Sequence, residues 1–282
     1  MSLSEASPLS DSEALAPDIA ECITGVVAAP TDAMAQFDLG FAYLKLSMFA
    51  HAIAPLRAAC ELKPQWVSAH INLTVALTES GDGYTGEVAA RAALALDPAN
   101  NLVYFCLGNA LRRQGRPQEA VEMFIKHLEL YPGDLMARCN LGLAWGDAGH
   151  DDRALSEFRT VLASNPRDFK ALHGSGIALA QSGDLDGAIA MLERACDVDG
   201  TDISAWEYLG NYFAKRERLG EALLAFDRIL ALEPNSFYAN YNKAAVLFKL
   251  GRPDLARPYS RFALEIAPNN ELAKELAEAL AE

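Results

Sequence analysis

Residues 101–134 read NLVYFCLGNALRRQGRPQEAVEMFIKHLELYPGD. In the second half of this stretch Val121, Phe124, Ile125 and Leu128 recur at the three- and four-residue spacing of one helix face. Gly115-Arg116-Pro117 breaks the pattern before them, and Pro132, which cannot continue a helix, closes it. The stretch therefore reads as two helices joined by a tight break.

The same unit recurs along the chain. Pro30, Pro64, Pro98, Pro132 and Pro166 stand 34 residues apart; Gly200 takes the next step, and Pro234 and Pro268 resume the series. A second row with the same step is Gly40, Thr74, Gly108, Gly142, Gly176, Gly210 and Ala244, preceded by Leu39, Leu73, Leu107, Leu141, Ser175, Leu209 and Lys243. A third is Ala52, Gly86, Ala120, Ala154, Ala188, Ala222 and Ala256. A fixed period of this length marks an array in which no unit buries its apolar face alone and each stacks on its neighbours. Small residues at two rows let the paired helices approach closely.

The pattern Leu-Gly, then Ala, Phe and Pro, as in Leu107-Gly108, Ala120, Phe124 and Pro132, with Leu39-Gly40 and Tyr43 in the first copy, resembles the tetratricopeptide repeat. The resemblance spans residues 33–268 as seven copies without insertion: 33–66, 67–100, 101–134, 135–168, 169–202, 203–236 and 237–270. It implies an all-α fold, a right-handed α-solenoid of antiparallel helix pairs forming the superhelix of that family. Gly86 for Ala, Ser175 for Leu, Gly200 for Pro, and Lys243 and Ser260 for apolar residues depart from the pattern, so the second, fifth and seventh copies are expected to be softer.

A repeat array must hide the apolar faces of its terminal units. Ile19, Cys22, Ile23 and Val26 match the phase of Val121, Phe124, Ile125 and Leu128, so residues 15–32 are expected to form an N-terminal capping helix. Residues 1–14, rich in Ser and acid, read as a flexible leader. At the other end, Leu272, Leu276 and Leu280 lie at i, i+4 and i+8, which predicts an amphipathic capping helix over 271–282.

The chain of 282 residues carries 24 Lys and Arg against 38 Asp and Glu, a formal charge of -14. That is the reverse of the basic footprint of phosphate neutralisation, so no nucleic-acid partner is expected. The sequence holds no run of 18 apolar residues and no basic start, which predicts no membrane insertion and a cytoplasmic location. Cys22, Cys60, Cys106, Cys139 and Cys196 are odd in number, widely spaced and free of a C-x-x-C, so they read as small buried hydrophobes.

No catalytic motif survives inspection. Phosphate-loop, nucleophile-elbow, zincin and dinucleotide fingerprints are all missing from the sequence. His173, Ser175 and Gly176 are close in sequence but fall on helix-packing rows, and Asp197, Asp199 and Asp202 fit a turn better than a calcium loop, whose spacing they lack. The Asn72-Leu73-Thr74 sequon lies mid-helix. The expectation is a protein that is not an enzyme and takes no cofactor or metal.

The resemblance places the first helices of successive copies along a concave channel that holds a partner segment. Carried over position by position, the peptide-binding places are Phe37, Phe41, Ile71, Asn72, Val75, Phe105, Asn109, Arg112, Arg113, Asn140, Leu143, His173, Tyr208, Asn211, Lys215, Tyr241, Asn242 and Lys249. Phe37, Phe41 and Phe105 are the expected anchors. Lys45, Arg112, Arg113, Lys170, Lys215 and Lys249 against Asp38, Glu79, Asp147 and Glu207 leave this channel two charges positive, and the acidic surplus reads as a solvated outer surface. The lysine of the family's carboxylate clamp is replaced at every matching place, by Phe37, Ile71, Phe105, Cys139, His173, Glu207 and Tyr241. Asn72, Asn140 and Asn242 fall where the superhelix of O-linked N-acetylglucosamine transferase carries its asparagine ladder. The leading reading is a scaffold for a peptide or helical segment of a protein partner, in assembly of a larger complex. The alternative is the regulatory half of a glycosyltransferase-like enzyme whose catalytic domain is on another chain or has been cut away, and self-association through the channel is a third reading.

Overall fold

The computed structural model describes residues 17–281, and among them it holds sixteen helices and no strand. The chain divides into two compact units, the first ending at Ala137 and the second starting at Arg138. The first contains α1 (Pro17–Ala28) and the pairs α2 (Ala33–Lys45) with α3 (Phe49–Leu62), α4 (Val67–Glu79) with α5 (Gly83–Leu96), and α6 (Asn101–Arg113) with α7 (Pro117–Leu130). The unit boundary falls within α8 (Leu135–Asp147). The second unit continues with α9 (Asp151–Ser164), the pairs α10 (Phe169–Gln181) with α11 (Leu185–Val198), α12 (Ile203–Lys215) with α13 (Leu219–Leu232), and α14 (Phe237–Lys249) with α15 (Pro253–Ile266), then α16 (Glu271–Ala279). Each unit is an all-α array of antiparallel helix pairs, the α-solenoid architecture expected.

The helices stop and start for local reasons that repeat with the period. Every first helix of a pair ends in a left-handed residue: Ser47, Gly81, Gly115, Gly149, Gly183, Glu217 and Gly251 all have positive φ. In the third copy the Gly115 N–H donates to the Arg112 carbonyl and the Arg116 N–H to the Leu111 carbonyl, each at 3.0 Å. This double bond pattern satisfies carbonyls that the helix end orphans. First helices begin on side-chain caps supplied by Asp32, Asn100, Asp134, Asp168, Asp202, Ser236 and, for α16, Asn270. Trp66 is the exception and makes no cap bond.

A further device secures the turn between pairs. The carbonyl on the proline row accepts from a side chain six residues later: Gln36 to Pro30, His70 to Pro64, Tyr104 to Pro98, Trp206 to Gly200 and Asn240 to Pro234, at 2.9 to 3.2 Å. In the fifth copy this place is Leu172, and Arg194 donates to the Pro166 carbonyl instead.

Within a pair, side-chain size is matched across the helix contact. A Cβ built on Gly108 would stand 2.8 Å from the Phe124 ring, one on Gly142 2.6 Å from Phe158, one on Gly176 2.7 Å from Leu192 and one on Gly210 2.7 Å from Phe226. Where the first helix carries the larger Thr74 or Ala244 instead, the place sixteen residues on holds the smaller Ala90 or Ser260. Gly86 is matched in the same way, since a Cβ there would lie 2.6 Å from the Thr78 hydroxyl. Lys243, where a leucine is usual, bonds the Tyr259 hydroxyl at 2.8 Å and pairs with Asp227. Volume is thus matched at these departures, while the Thr78 and Ser260 hydroxyls are buried without a hydrogen-bond partner. Ala69, Val103, Ala137, Ala171, Ala205, Ala239 and Ala273 form another fully buried row.

At the ends of the described chain, α1 buries Ile19 against Leu39 and Ala42, with Cys22, Ile23 and Val26 packed around them. Helix α16 sits with its Asn270 cap and buried Ala273 on the first-helix rows and packs Leu276 and Leu280 on Ala244, Leu247 and Ala256. Leu272 differs from the i, i+4, i+8 expectation: it is 58% exposed. A step of four residues turns about 40° past a full helical revolution, so three leucines so spaced drift off one face, and Ala273 takes the inward place.

Candidate interaction surface

In the first unit the candidate face is the outward side of α2, α4 and α6. Phe37 stacks on Trp66 with ring centroids 4.4 Å apart and on Phe41 at 6.1 Å. Phe41 remains 42% exposed, with the Lys45 ammonium 5.2 Å above its ring, and the Lys63 ammonium lies 4.9 Å above Trp66. Two cations therefore flank one aromatic stack, an arrangement favoured by the ring quadrupoles. Sequence reasoning missed Trp66. The signal was present as the one residue on the helix-start row that cannot cap.

Ile71, Asn72 and Val75 are half-buried on α4, and Asn109 and Arg112 are half-buried on α6. Phe105 is half-buried too, its ring against Phe124 at 6.0 Å and His127 at 5.5 Å, so much of it serves the third pair's own core. Arg113 reaches back to Glu79 at 2.5 Å, which neutralises two of the charges counted in the channel. The large apolar side chains left open on this face, besides Phe41, are Met34, Leu102 and Met136, the last 64% exposed. These three share one repeat position, which the second copy fills with Ser68.

In the second unit the corresponding face is polar and aromatic. Asn140 is buried, and Leu143 with Ile177, Gly146 and Gly174 lines a cavity of about 240 Å³ floored by Phe158. His173 stacks on Phe169 at 5.7 Å and meets the edge of Tyr208 at 5.6 Å. Burial lowers its pKa against the opposing pull of Asp202, which keeps the imidazole neutral at pH 7. Tyr208 continues to Tyr212, whose ring carries the Lys215 ammonium at 5.8 Å. Burial, then Glu233 and Asp202, raise the pKa of Glu207, and burial together with Glu207 pushes the Tyr238 phenol up to about 12. Asn211 is half-buried, and the Tyr238 hydroxyl donates to the Glu207 carbonyl at 3.3 Å. Tyr241 stacks on Phe237 at 5.9 Å. Asn242 spends its amide on the Tyr238 carbonyl at 2.9 Å, and Lys249 pairs with Glu217 at 2.7 Å. The three asparagines of the supposed ladder thus stand in three different settings: half-buried, buried and bonded to their own helix.

Other candidates resolve into structure. Asp199 accepts from the Thr201 N–H and hydroxyl, and Asp202 caps α12. Among the described residues no group of three or more His, Cys, Asp or Glu could hold a metal ion, and no helix is long and apolar enough to cross a membrane. The cysteines form no disulfide among the described residues, and burial pushes the Cys60 thiol up to about 11 and those of Cys106 and Cys196 up to about 12.

The geometry agrees with what comparison returns. The tetratricopeptide repeat family model matches residues 87–134, 139–203 and 204–271, more than half of the chain. The chain is 24% identical over 185 residues to tetratricopeptide repeat protein 6 of Homo sapiens, which covers 64% of this chain and 35% of that protein. It is 24% identical over 204 residues to the peroxisomal targeting signal receptor of Kluyveromyces lactis, covering 72% and 36%. Among solved structures, one chain of the APC/C hetero-tetramer Cut9-Hcn1 superposes with a TM-score of 0.70 at 15% identity, over 94% of this chain and 52% of that one. The chain spans about a third of the length of the curated relatives it matches.

Proposed function

Because the chain belongs to the tetratricopeptide repeat family, we propose that it is a protein–protein interaction scaffold that holds a peptide or helical segment of a partner on its first-helix face, in assembly of a larger complex. The observation that carries this reading is the set of Met34, Phe41, Leu102 and Met136, four large apolar side chains open to water on first helices of one unit. Exposed apolar surface of that kind fits a partner's anchors. The Phe41–Phe37–Trp66 stack beneath two ammonium groups offers the same segment an aromatic wall and a place for carboxylates. A relative named the peroxisomal targeting signal receptor supports the same reading.

The test is affinity capture from native lysate with mass-spectrometric identification, using the wild type and a Phe41→Ser, Leu102→Ser, Met136→Ser triple variant. Those side chains are exposed, so circular dichroism and melting should stay near wild type while the specific partner is lost. Retention of every wild-type partner by the folded variant would overturn the assignment of this face.

A further inference from the structure

The second helices of the second unit carry a feature that the first-helix reading does not use. A groove of about 580 Å³ opens between α11 and α13, with Leu209 and Phe213 of α12 as its floor and Trp206 and Leu224 on its walls. In the preceding copy Arg194 lies across the turn and donates to the Pro166 carbonyl. Its counterpart here is Arg228; the Gly200 carbonyl accepts from the Trp206 indole N–H at 3.0 Å, the latch used in most copies. Arg228 lines the same groove. Leu224 stands 67% exposed beside it, a large apolar side chain with no packing role.

The charges around the groove select its occupant. Glu221 and Asp227 are already paired with Arg218 and Lys243. Glu193 and Asp197, on the α11 side, make no ion pair among the described residues. Arg228 is the one cation among the groove's lining residues, so two carboxylates face one guanidinium there and a cationic occupant is favoured. The chain's own ends do not, because residues 1–44 contain no Lys or Arg and α16 sets Glu271, Glu275 and Glu278 against Lys274. Like charge disfavours both.

We propose that this groove docks a basic amphipathic segment of a partner protein, with a bulky aliphatic side chain seated on Leu209 and Phe213 and Lys or Arg residues facing Glu193 and Asp197. The site uses second helices and α12 residues other than Tyr208, Asn211 and Lys215, and none of Met34, Phe41, Leu102 and Met136, so either can fail alone.

The experiment measures fluorescence anisotropy of a fluorescein-labelled amphipathic Lys/Leu 14-residue peptide, with its Glu/Leu counterpart as control, against the full chain at low salt. The Lys peptide should bind and the Glu peptide should not. Leu224→Ser, and separately Glu193→Lys with Asp197→Lys, should each weaken binding about tenfold or more. Two controls should stay within about twofold, the range of mere net-charge change at a distant site. Val88→Ser alters the same repeat position in α5, where the side chain is 68% exposed, and Glu122→Lys with Glu129→Lys on α7 matches the change in net charge. Absence of binding would overturn the proposal. So would equal weakening by both charge-reversal pairs, or an unchanged affinity in Leu224→Ser, each of which signals unspecific attraction to an acidic protein. Weakening by the Phe41, Leu102 and Met136 changes alone would move the peptide to the first-helix face and overturn it as well.

Discussion

The second and third helix pairs share a backbone and solve the same packing problem in opposite ways. In the third, Gly108 vanishes beneath Phe124, which is fully buried. In the second, the buried Thr74 bonds its hydroxyl to the His70 carbonyl at 2.8 Å, and Ala90 holds the place that Phe124 takes in the third. The two pairs also differ at their starts: Asn100 caps α6, whereas Trp66 leaves α4 uncapped and stacks on Phe37. What is constant is the filled volume and not the residue at either place, as close packing requires.

That comparison breaks most severely at Phe124. Phe124→Ala should cost about 3–5 kcal/mol by transfer loss and cavity formation, read as a lowered denaturant midpoint. Writing the second pair's solution into the third, with Gly108→Thr beside Phe124→Ala, should recover part of that loss, with a coupling of roughly 0.5–3 kcal/mol in a double-mutant cycle. Additive losses would show that the two places do not share one volume. Gly108→Leu alone should cost about 1–3 kcal/mol through overpacking, because the ring it meets is itself enclosed. Asn100→Ala should cost about 1 kcal/mol in thermal melts, a loss with no counterpart at Trp66. The smallest effect concerns the left-handed turn. Gly81 has φ +94 and Ser47, on the same row, φ +57. Ser47→Gly should stabilise by up to about 1 kcal/mol while Gly81→Ala destabilises by a similar amount.

The fold was legible because its signals are properties of single residues that recur with the period: proline ending a helix, glycine admitting a neighbour. Pairwise matching was not legible in the same way. Gly86, Lys243 and Ser260 read as defects one row at a time, and only the structure sets Thr78, Asp227 with Tyr259, and Ala244 beside them. The candidate surface divides similarly. A first-helix place can be read from the repeat, but how much of its side chain remains available depends on the next helix. Phe41 keeps an open ring, while Phe105 turns part of its ring onto Phe124 and His127. The groove between α11 and α13 was hidden for a further reason. Its lining comes from three helices, α11, α12 and α13, so no single repeat row displays it.

The latch on the turn carbonyl has a consequence for how such a chain drifts. An amide at Gln36, an imidazole at His70, a phenol at Tyr104, an indole at Trp206 and a second amide at Asn240 perform one task. What they share is one hydrogen on a heteroatom that reaches the same oxygen. Selection at this place can act on the presence of that hydrogen while leaving size, charge and aromaticity to wander. Residues that score as unrelated by substitution likeness are then synonyms, and copies can diverge there from one another without loosening the joint.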